Sequence, residues 1–181
     1  MSETVYALKV MLLGDAGVGK TTAINRFVDG RFVTDTRVTV GVDFSLKNVS
    51  LGLGNVSVQM QIWDVTGELQ FASIIPYYIA GTDGVVLAFD STVSATLENL
   101  ESWIGLVKAH LSTTFQIVVI STKNDLISKK IDEASLKEFM TAHSISEYFQ
   151  TSSKNGDNIN RSFQSLGEMI ARAKGIEFNA N

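Results

Sequence analysis

The sequence contains no cysteine among its 181 residues. Disulfide bonds, thiolate chemistry and cysteine zinc sites are therefore excluded, and so are prenyl and palmitoyl anchors on the chain as given. Because the second residue is Ser, N-myristoylation is excluded as well. We therefore expect no intrinsic lipid anchor in this chain.

Long apolar runs and a surplus of positive charge are also missing. No run approaches the roughly 20 apolar residues of a membrane-spanning helix, and the start, MSETVYALKV, has no signal-peptide pattern. The net charge is −4 and the Lys and Arg residues are scattered, which argues against nucleic-acid binding. We expect a cytoplasmic monomer, peripheral to membranes only through partners or a longer C-terminal tail.

The chain does have enough length and apolar residues for one domain, expected over residues 1–181, since 45% of the residues are hydrophobic. Apolar strand-like runs alternate with helical patterns, which predicts a mainly parallel sheet covered on both faces. The predicted strands are 5–13, 42–51, 56–63, 84–90, 115–122 and 147–151. The predicted helices are 20–30, one containing Leu97, Leu100, Trp103, Ile104 and Val107, 132–143 and 158–174.

One pair of predicted strands reads as a hairpin. The runs 42–51 and 56–63 are separated only by GLGN, which predicts an antiparallel edge strand. In the second run, Val56, Val58, Met60 and Ile62 alternate with polar residues, so one face of that strand should be buried. The polar segment before the hairpin, 31–41, reads as an exposed loop.

The segment GDAGVGKT, residues 14–21, matches the phosphate-binding pattern G-x-x-x-x-G-K-[ST]. Its glycines let backbone N–H groups wrap around phosphates, Lys20 would reach the β- and γ-phosphates, and the Thr21 hydroxyl would bind Mg²⁺. A glycine-rich turn without a ligand is the alternative, but the strand before and the helix after favour binding. The predicted phosphate contacts are Gly14, Asp15, Ala16, Gly17, Val18, Gly19, Lys20, Thr21 and Thr22.

Two tetrapeptides that follow predicted strands suggest base recognition. In TKND, residues 122–125, the Asp125 carboxylate can accept hydrogen bonds from guanine N1–H and its amine, a donor pair that adenine lacks. The stem of Lys123 can cover the base, and TSSK, residues 151–154, can offer N–H groups. Each tetrapeptide alone is weak and TKND in isolation reads more readily as a solvated turn, but their order and spacing after the phosphate-binding loop favour base recognition. The predicted base contacts are Thr122, Lys123, Asp125, Leu126, Ser152, Ser153 and Lys154.

The motifs GDAGVGKT, TVGVDF, WDVTG, TKND and TSSK occur in the order found in small GTPases of the Ras superfamily, which this chain resembles from about residue 6 to about residue 174. TVGVDF, the Trp of WDVTG and TSSKNG resemble the Rab branch most. The resemblance implies an α/β P-loop NTPase fold of three layers, with a six-stranded, mostly parallel sheet, one antiparallel edge strand and about five helices. It also implies binding of GTP, GDP and Mg²⁺, and a switch between two nucleotide states.

The resemblance assigns further residues to roles. Thr39 matches the first-switch threonine, which contacts Mg²⁺ and the γ-phosphate, and Phe32 matches the aromatic beside guanine. Asp64 resembles the acid that holds Mg²⁺ through water, and Gly67 the glycine whose N–H senses the γ-phosphate. With Lys20 and Glu68, Thr39 and Gly67 make up the predicted catalytic set.

Four positions depart from the family pattern. Thr122 stands where Asn is usual, and its hydroxyl can still bridge loops; Ser153 stands where Ala is usual. Thr66 replaces a small Ala and brings a hydroxyl close to the γ-phosphate. Glu68 replaces the Gln that orients the attacking water, and an ionised Glu cannot donate a hydrogen bond. We therefore expect slow GTP hydrolysis; the alternative is that the carboxylate accepts a proton from the water, or holds the water as Gln would.

The resemblance also implies partners. Effectors, exchange factors and GTPase-activating proteins would contact residues 34–45 and 63–78, with Phe44, Trp63 and Tyr78 as an exposed aromatic patch. Ordinary packing is the alternative for Trp63, Phe71 and the two tyrosines at 77 and 78. Two other functions stay open: a GTP-binding module with little or no hydrolysis, and a P-loop nucleotide or small-molecule kinase.

Overall fold

A computed structural model describes residues 5–33, 39–52, 56–68, 73–111, 113–126 and 131–179. Part of each predicted partner segment, including Phe71, lies outside these described residues, as do residues 53–55 of the hairpin turn. Within the described residues, no helix combines the length and the apolar character that crossing a membrane requires.

The strands form one six-stranded sheet in the order β2-β3-β1-β4-β5-β6. β2 runs antiparallel to β3, whereas the other neighbouring strands are parallel. The mostly parallel sheet and its antiparallel edge strand are therefore confirmed. The strands are β1 Tyr6–Leu13, β2 Val42–Leu51, β3 Val56–Val65, β4 Gly84–Asp90, β5 Gln116–Thr122 and β6 Glu147–Gln150.

Six α-helical segments connect or flank the described strands, and the helices differ from the expectation at two places. The predicted helix through Leu97 and Val107 is interrupted at Asn99, whose backbone keeps right-handed angles, φ −68° and ψ −14°, between α3 and α4. The short α2 was not predicted, because five residues with Pro76 in the first turn show no helical periodicity. The helices are α1 Lys20–Asp29, α2 Ile75–Ile79, α3 Ala95–Glu98, α4 Leu100–His110, α5 Glu133–Ala142 and α6 Ile159–Ala173.

The sheet has an apolar core on each face, because successive side chains of a strand point to opposite sides. On one face, α1 and α6 pack against the sheet, and the rings of Phe27 and Phe163 stack with centroids 4.1 Å apart. On the other face, the segments α2 to α5 pack around Trp103, which is fully buried. Of the residues predicted to face the core from β3, Val58, Met60 and Ile62 are buried and Val56 is half-buried.

This topology places several loops at one edge of the sheet. Because β1, β4, β5 and β6 are parallel, their carboxyl ends meet at the same edge. The loops that leave β1, β5 and β6 there contain GDAGVGKT, TKND and TSSK. The candidate site is therefore at this edge.

Candidate nucleotide-binding site

The phosphate-binding loop begins against the neighbouring strand β4. Gly14 has φ 146°, and a Cβ at this position would lie 2.1 Å from the carbonyl oxygen of Ala88, so no other residue fits. At the other end of the loop, Gly19 is the left-handed N-cap of α1, with φ 98°, and it has no side chain with which to cap the helix. The amide end of α1 therefore lacks a cap from its own N-cap side chain, which suits an anionic ligand.

Lys20 lies under this loop, with only 6% of its surface exposed. Its Nζ donates hydrogen bonds to the carbonyl oxygens of Gly14 at 2.7 Å and Asp15 at 2.9 Å. Burial lowers the pKa of Lys20 to about 8, although the nearby carboxylates of Asp64 and Asp15 act in the opposite direction. The ammonium group is thus fixed at the inner side of the loop.

Three oxygen-bearing side chains converge next to Lys20. The Thr21 hydroxyl lies 2.8 Å from the Thr39 hydroxyl and donates to Oδ2 of Asp64. Asp64 is 4% exposed, and burial raises its pKa despite the hydrogen bond from Thr21 and the charge of Lys20. Its second oxygen, Oδ1, is buried and has no hydrogen-bond partner in the described part of the chain.

This cluster fits Mg²⁺, which prefers oxygen ligands and keeps several waters. The buried Oδ1 of Asp64 needs a donor, and a metal-bound water would supply one. Among the described residues, no group of three or more His, Cys, Asp or Glu could hold a metal. Mg²⁺ commonly uses one or two protein ligands together with substrate phosphates.

A cavity opens beside the phosphate-binding loop at the ends of β5 and β6. Its volume is about 200 Å³, which is smaller than the roughly 300–1,000 Å³ of drug-sized ligand pockets. Nine of the predicted nucleotide contacts line it, and Val33 adds apolar surface beside them. The lining residues are Gly19, Thr22, Phe32, Val33, Thr122, Lys123, Asp125, Leu126, Ser153 and Lys154.

Side-chain hydrogen bonds join the loops around this cavity. The Thr122 hydroxyl donates to the carbonyl oxygens of Val18 and Phe89, and therefore bridges loops as expected of a hydroxyl there. Lys123 has a left-handed backbone, φ 58°, and its Nζ donates to the Gly17 carbonyl oxygen at 2.7 Å. The base loop is thereby tied to the phosphate-binding loop.

The two predicted base loops are also joined to each other. Asp125 accepts a hydrogen bond from the Ser152 hydroxyl at 2.7 Å. Asn124 donates through Nδ2 to the carbonyl oxygens of Ser121 and Thr151, both at 2.9 Å. The carboxylate of Asp125 is therefore held at the cavity by a neighbour from the second loop.

Two residues that hold these loops, Asp90 and Asn124, are not among the predicted contacts. Asp90, the last residue of β4, forms an ion pair with Lys123 at 2.6 Å, and the hydrogen bonds from Lys123 and Thr92 lower its pKa although burial opposes them. Asn124 lies inside TKND but was given no role. The position of Asp90 at the end of a buried strand is the one signal that the sequence offered for it.

Gly67 lies directly on the phosphate-binding loop. Its carbonyl oxygen accepts a hydrogen bond from the Ala16 N–H at 3.0 Å, and a Cβ at Gly67 would lie 2.2 Å from that nitrogen. The N–H of Thr66 donates to the Gly41 carbonyl oxygen at 2.9 Å, which joins the two predicted partner segments, 34–45 and 63–78. The Thr66 hydroxyl accepts from the N–H of Glu68 at 3.4 Å, and Glu68 is half-buried.

The predicted aromatic residues do contact one another on the surface. The ring of Trp63 lies 5.1 Å from that of Phe44 and 5.7 Å from that of Tyr78, centroid to centroid. Phe44 is 46% exposed, and Tyr77 is 83% exposed, so ordinary core packing does not describe them. The patch has the geometry expected, and its use by partners stays a prediction.

Comparisons with known proteins agree with this geometry. A model of the Ras family matches residues 9–172 of the chain. Ras-related protein Rab-1D of Dictyostelium discoideum is 32% identical over 167 residues, which are 91% of this chain and 80% of that protein. Ras-related protein SEC4 of Saccharomyces cerevisiae (strain ATCC 204508 / S288c) is 31% identical over 163 residues, 90% of this chain and 74% of that protein. The chain therefore belongs to the Ras family of small GTPases and is Rab-like.

Proposed function

We propose that this chain, as a single domain, binds GTP and GDP with Mg²⁺, hydrolyses GTP slowly and changes its switch segments with the nucleotide state. One observation carries the proposal: the phosphate-binding loop and the base cavity are continuous. Gly19 is the N-cap of α1 and also lines the cavity. Lys123 lines the cavity too, and it donates a hydrogen bond to Gly17 of the phosphate-binding loop. A single ligand with a base and a phosphate chain fits such an arrangement.

The phosphates would accept hydrogen bonds from the loop amides, from the N–H groups at the start of α1 and from the Lys20 ammonium. Thr21 and Thr39 would bind Mg²⁺ directly, and Asp64 would hold one of its waters. When bound, Mg²⁺ would neutralise part of the negative charge of the phosphates. The buried Oδ1 of Asp64 and the Thr21–Thr39 contact support this assignment.

Guanine would be selected in the cavity at the ends of β5 and β6. Asp125 lines it and can accept from two donors on one edge of guanine, whereas adenine presents no such pair. The apolar stems and rings of Lys123, Leu126 and Phe32 provide surface for the faces of the base. The N–H groups of Ser153 and Lys154 would meet the guanine oxygen.

Nucleotide selection can be tested directly. The nucleotide retained after purification is identified by chromatography, and GDP, GTP and ATP then compete against fluorescent mant-GDP in the presence of Mg²⁺. We expect GDP and GTP to displace the probe at similar concentrations, with ATP at least about a hundredfold weaker. Equal competition by ATP would contradict guanine selection.

The hydrolysis step depends on Glu68. An ionised carboxylate accepts hydrogen bonds but does not donate, so it cannot hold water and the γ-phosphate as an amide does. Two like charges at about 4 Å cost roughly 4 kcal/mol near a protein surface, before Lys20 and Mg²⁺ offset part of this. We therefore propose that Glu68 makes GTP cleavage slow.

A second candidate function is GTP binding with little or no cleavage. Two observations favour it: Glu68 follows Gly67, and the Thr66 hydroxyl, 1% exposed, lies close to the same backbone. Single-turnover GTP cleavage by the wild type and by Glu68→Gln decides between the two. We expect slow but measurable phosphate release in the wild type and about tenfold faster release in the variant. No release from the wild type would favour the binding module, and an unchanged rate in the variant would make Glu68 a bystander.

Partners would meet the protein at the aromatic patch and its surroundings. Rab-like GTPases work with exchange factors, activating proteins and effectors. Phe44 and Trp63 come from the paired strands β2 and β3, and Tyr78 comes from α2. Because Gly67 follows β3 closely in the chain, the patch would respond to the γ-phosphate.

A further inference from the structure

Asp15, the second residue of the phosphate-binding loop, directs its side chain away from the loop and towards α4. Its Oδ2 accepts a hydrogen bond from Asn99 Nδ2 at 2.6 Å, and its Oδ1 accepts one from Trp103 Nε1 at 2.8 Å. Asn99 is the N-cap of α4 and Trp103 lies one turn further, so both donors come from the start of one helix. We refer to these three residues as the Asp15 clamp.

The clamp satisfies a buried donor, but that need alone does not explain it. Trp103 is fully buried, and an indole N–H in the core needs an acceptor. Any nearby carbonyl oxygen would meet that need. Here the acceptor is a carboxylate from the phosphate-binding loop, where a negative charge is unfavourable next to phosphates. A second donor, from the exposed Asn99, strengthens the hold on the same carboxylate.

The main chain around Asp15 contacts two candidate phosphate-binding residues, Lys20 and Gly67. Its carbonyl oxygen accepts from Lys20 Nζ at 2.9 Å. The peptide that joins it to Ala16 supports Gly67, because the Ala16 N–H donates to the Gly67 carbonyl oxygen, and a Cβ at Gly67 would lie 2.3 Å from the Asp15 carbonyl carbon. Movement of this one peptide would therefore displace both Lys20 and Gly67.

We propose that the Asp15 clamp positions the phosphate-binding loop and slows nucleotide release. Asn99 and Trp103 act as positioning residues, since they reach the loop only through the Asp15 carboxylate. The inference rests on the proposed binding of guanine nucleotides. It assigns to α4 a part in nucleotide retention that none of the sequence motifs contains.

The test is the dissociation rate of mant-GDP in Mg²⁺, measured with excess unlabelled GDP. Trp103→Phe removes the indole donor and keeps an aromatic ring, and we expect it to release mant-GDP about tenfold faster. Asn99→Ala, at an exposed position, should raise the rate about threefold. Ser102→Ala is the matched control, because Ser102 is exposed on the same helix and outside the clamp, and its rate should equal that of the wild type.

A double-mutant cycle separates the clamp from loss of core packing. If Trp103 acts through Asp15, the double variant Asp15→Ala/Trp103→Phe should release mant-GDP no faster than Asp15→Ala. Asp15→Asn should recover part of the loss, because an amide oxygen can still accept from the indole. In the NMR spectrum of a Trp63→Phe variant, the one remaining indole N–H resonance comes from Trp103. Adding Asp15→Ala should change the chemical shift of that resonance.

The outcomes are distinct. If the wild type retains mant-GDP and all clamp variants release it at the wild-type rate, the clamp proposal is overturned and the proposed function stands. If thermal stability falls while the release rates stay equal, the clamp serves the core only, which also overturns the proposal. If the wild type fails to bind mant-GDP, both the proposed function and the clamp fall.

Discussion

The guanine side of the site, residues 122–125 and 151–154, is held differently from the switch side, residues 39–41 and 64–68. On the guanine side, side chains form the links: Thr122 to Val18, Lys123 to Gly17, and Asp125 to Ser152. On the switch side, backbone hydrogen bonds join Gly67 to Ala16 and Thr66 to Gly41, and the side chains of Thr39 and Asp64 both contact Thr21 at the start of α1.

This difference indicates a division of work within one site. The guanine side is preorganised by its own cross-links, so binding the base requires little rearrangement. The switch side converges on Thr21, Thr39 and Asp64, a cluster that leaves the buried Oδ1 of Asp64 unsatisfied in the described part of the chain. Mg²⁺ and phosphate would complete that cluster. Affinity should therefore depend on the first side and nucleotide state on the second.

The largest expected effect is on the guanine side, from Asp125→Ala. Removing the carboxylate leaves two guanine donors unpaired, and we expect the affinity for GDP to fall by about a hundredfold or more. Isothermal titration with GDP and Mg²⁺ measures this, with Asp29→Ala, an exposed residue at the end of α1, as the control. A loss of less than about threefold would place base recognition elsewhere.

A smaller and selective effect is expected on the switch side, from Thr39→Ala. Because its hydroxyl contacts Thr21 at the proposed Mg²⁺ position, we expect about tenfold weaker binding of a non-hydrolysable GTP analogue and GDP binding within about threefold of wild type. Parallel titrations with the two nucleotides give the ratio. An equal loss for both would remove the distinction between the two sides.

The smallest effect is expected from Asp90→Asn, which breaks the ion pair with Lys123. Because hydrogen bonds from Lys123 and Thr92 outweigh burial and lower the pKa of Asp90, its ionised form stabilises the fold above its unfolded pKa of about 3.8. We expect a loss of about 1 kcal/mol in the free energy of unfolding at pH 7. The difference from wild type should shrink as the pH falls below about 4.

Urea unfolding at several pH values, each with the same excess of GDP, measures this difference. Glu98→Gln, on the exposed surface of α3, serves as the charge control. A difference that stays constant down to pH 3 would show that Asp90 acts through its shape and not through its charge.

The sequence predicted the strands well because buried strands are apolar along their whole length, as β4 is. The sequence did not predict α2, because a helix of five residues is too short to show a helical periodicity. It also identified the residues that line the base cavity, because motif order placed their loops at one sheet edge. The proposed roles of those residues stay predictions.

The links between loops could not be predicted in the same way. Trp103 was assigned to the core from its helical spacing, correctly, but its hydrogen bond to Asp15 joins residues 88 positions apart. The pairing of Asp90 with Lys123 likewise depends on two strand ends meeting at one edge. Such contacts follow from the three-dimensional register and leave no local pattern in the sequence.

The central claim is that the guanine side is fixed while the switch side responds to the γ-phosphate. Hydrogen–deuterium exchange of the protein loaded with GDP, and separately with a non-hydrolysable GTP analogue, tests it directly. We predict equal amide protection in both states for residues 122–125 and 151–154, and stronger protection of residues 39–41 and 64–68 with the GTP analogue. Equal exchange of the switch side in the two states would contradict the account.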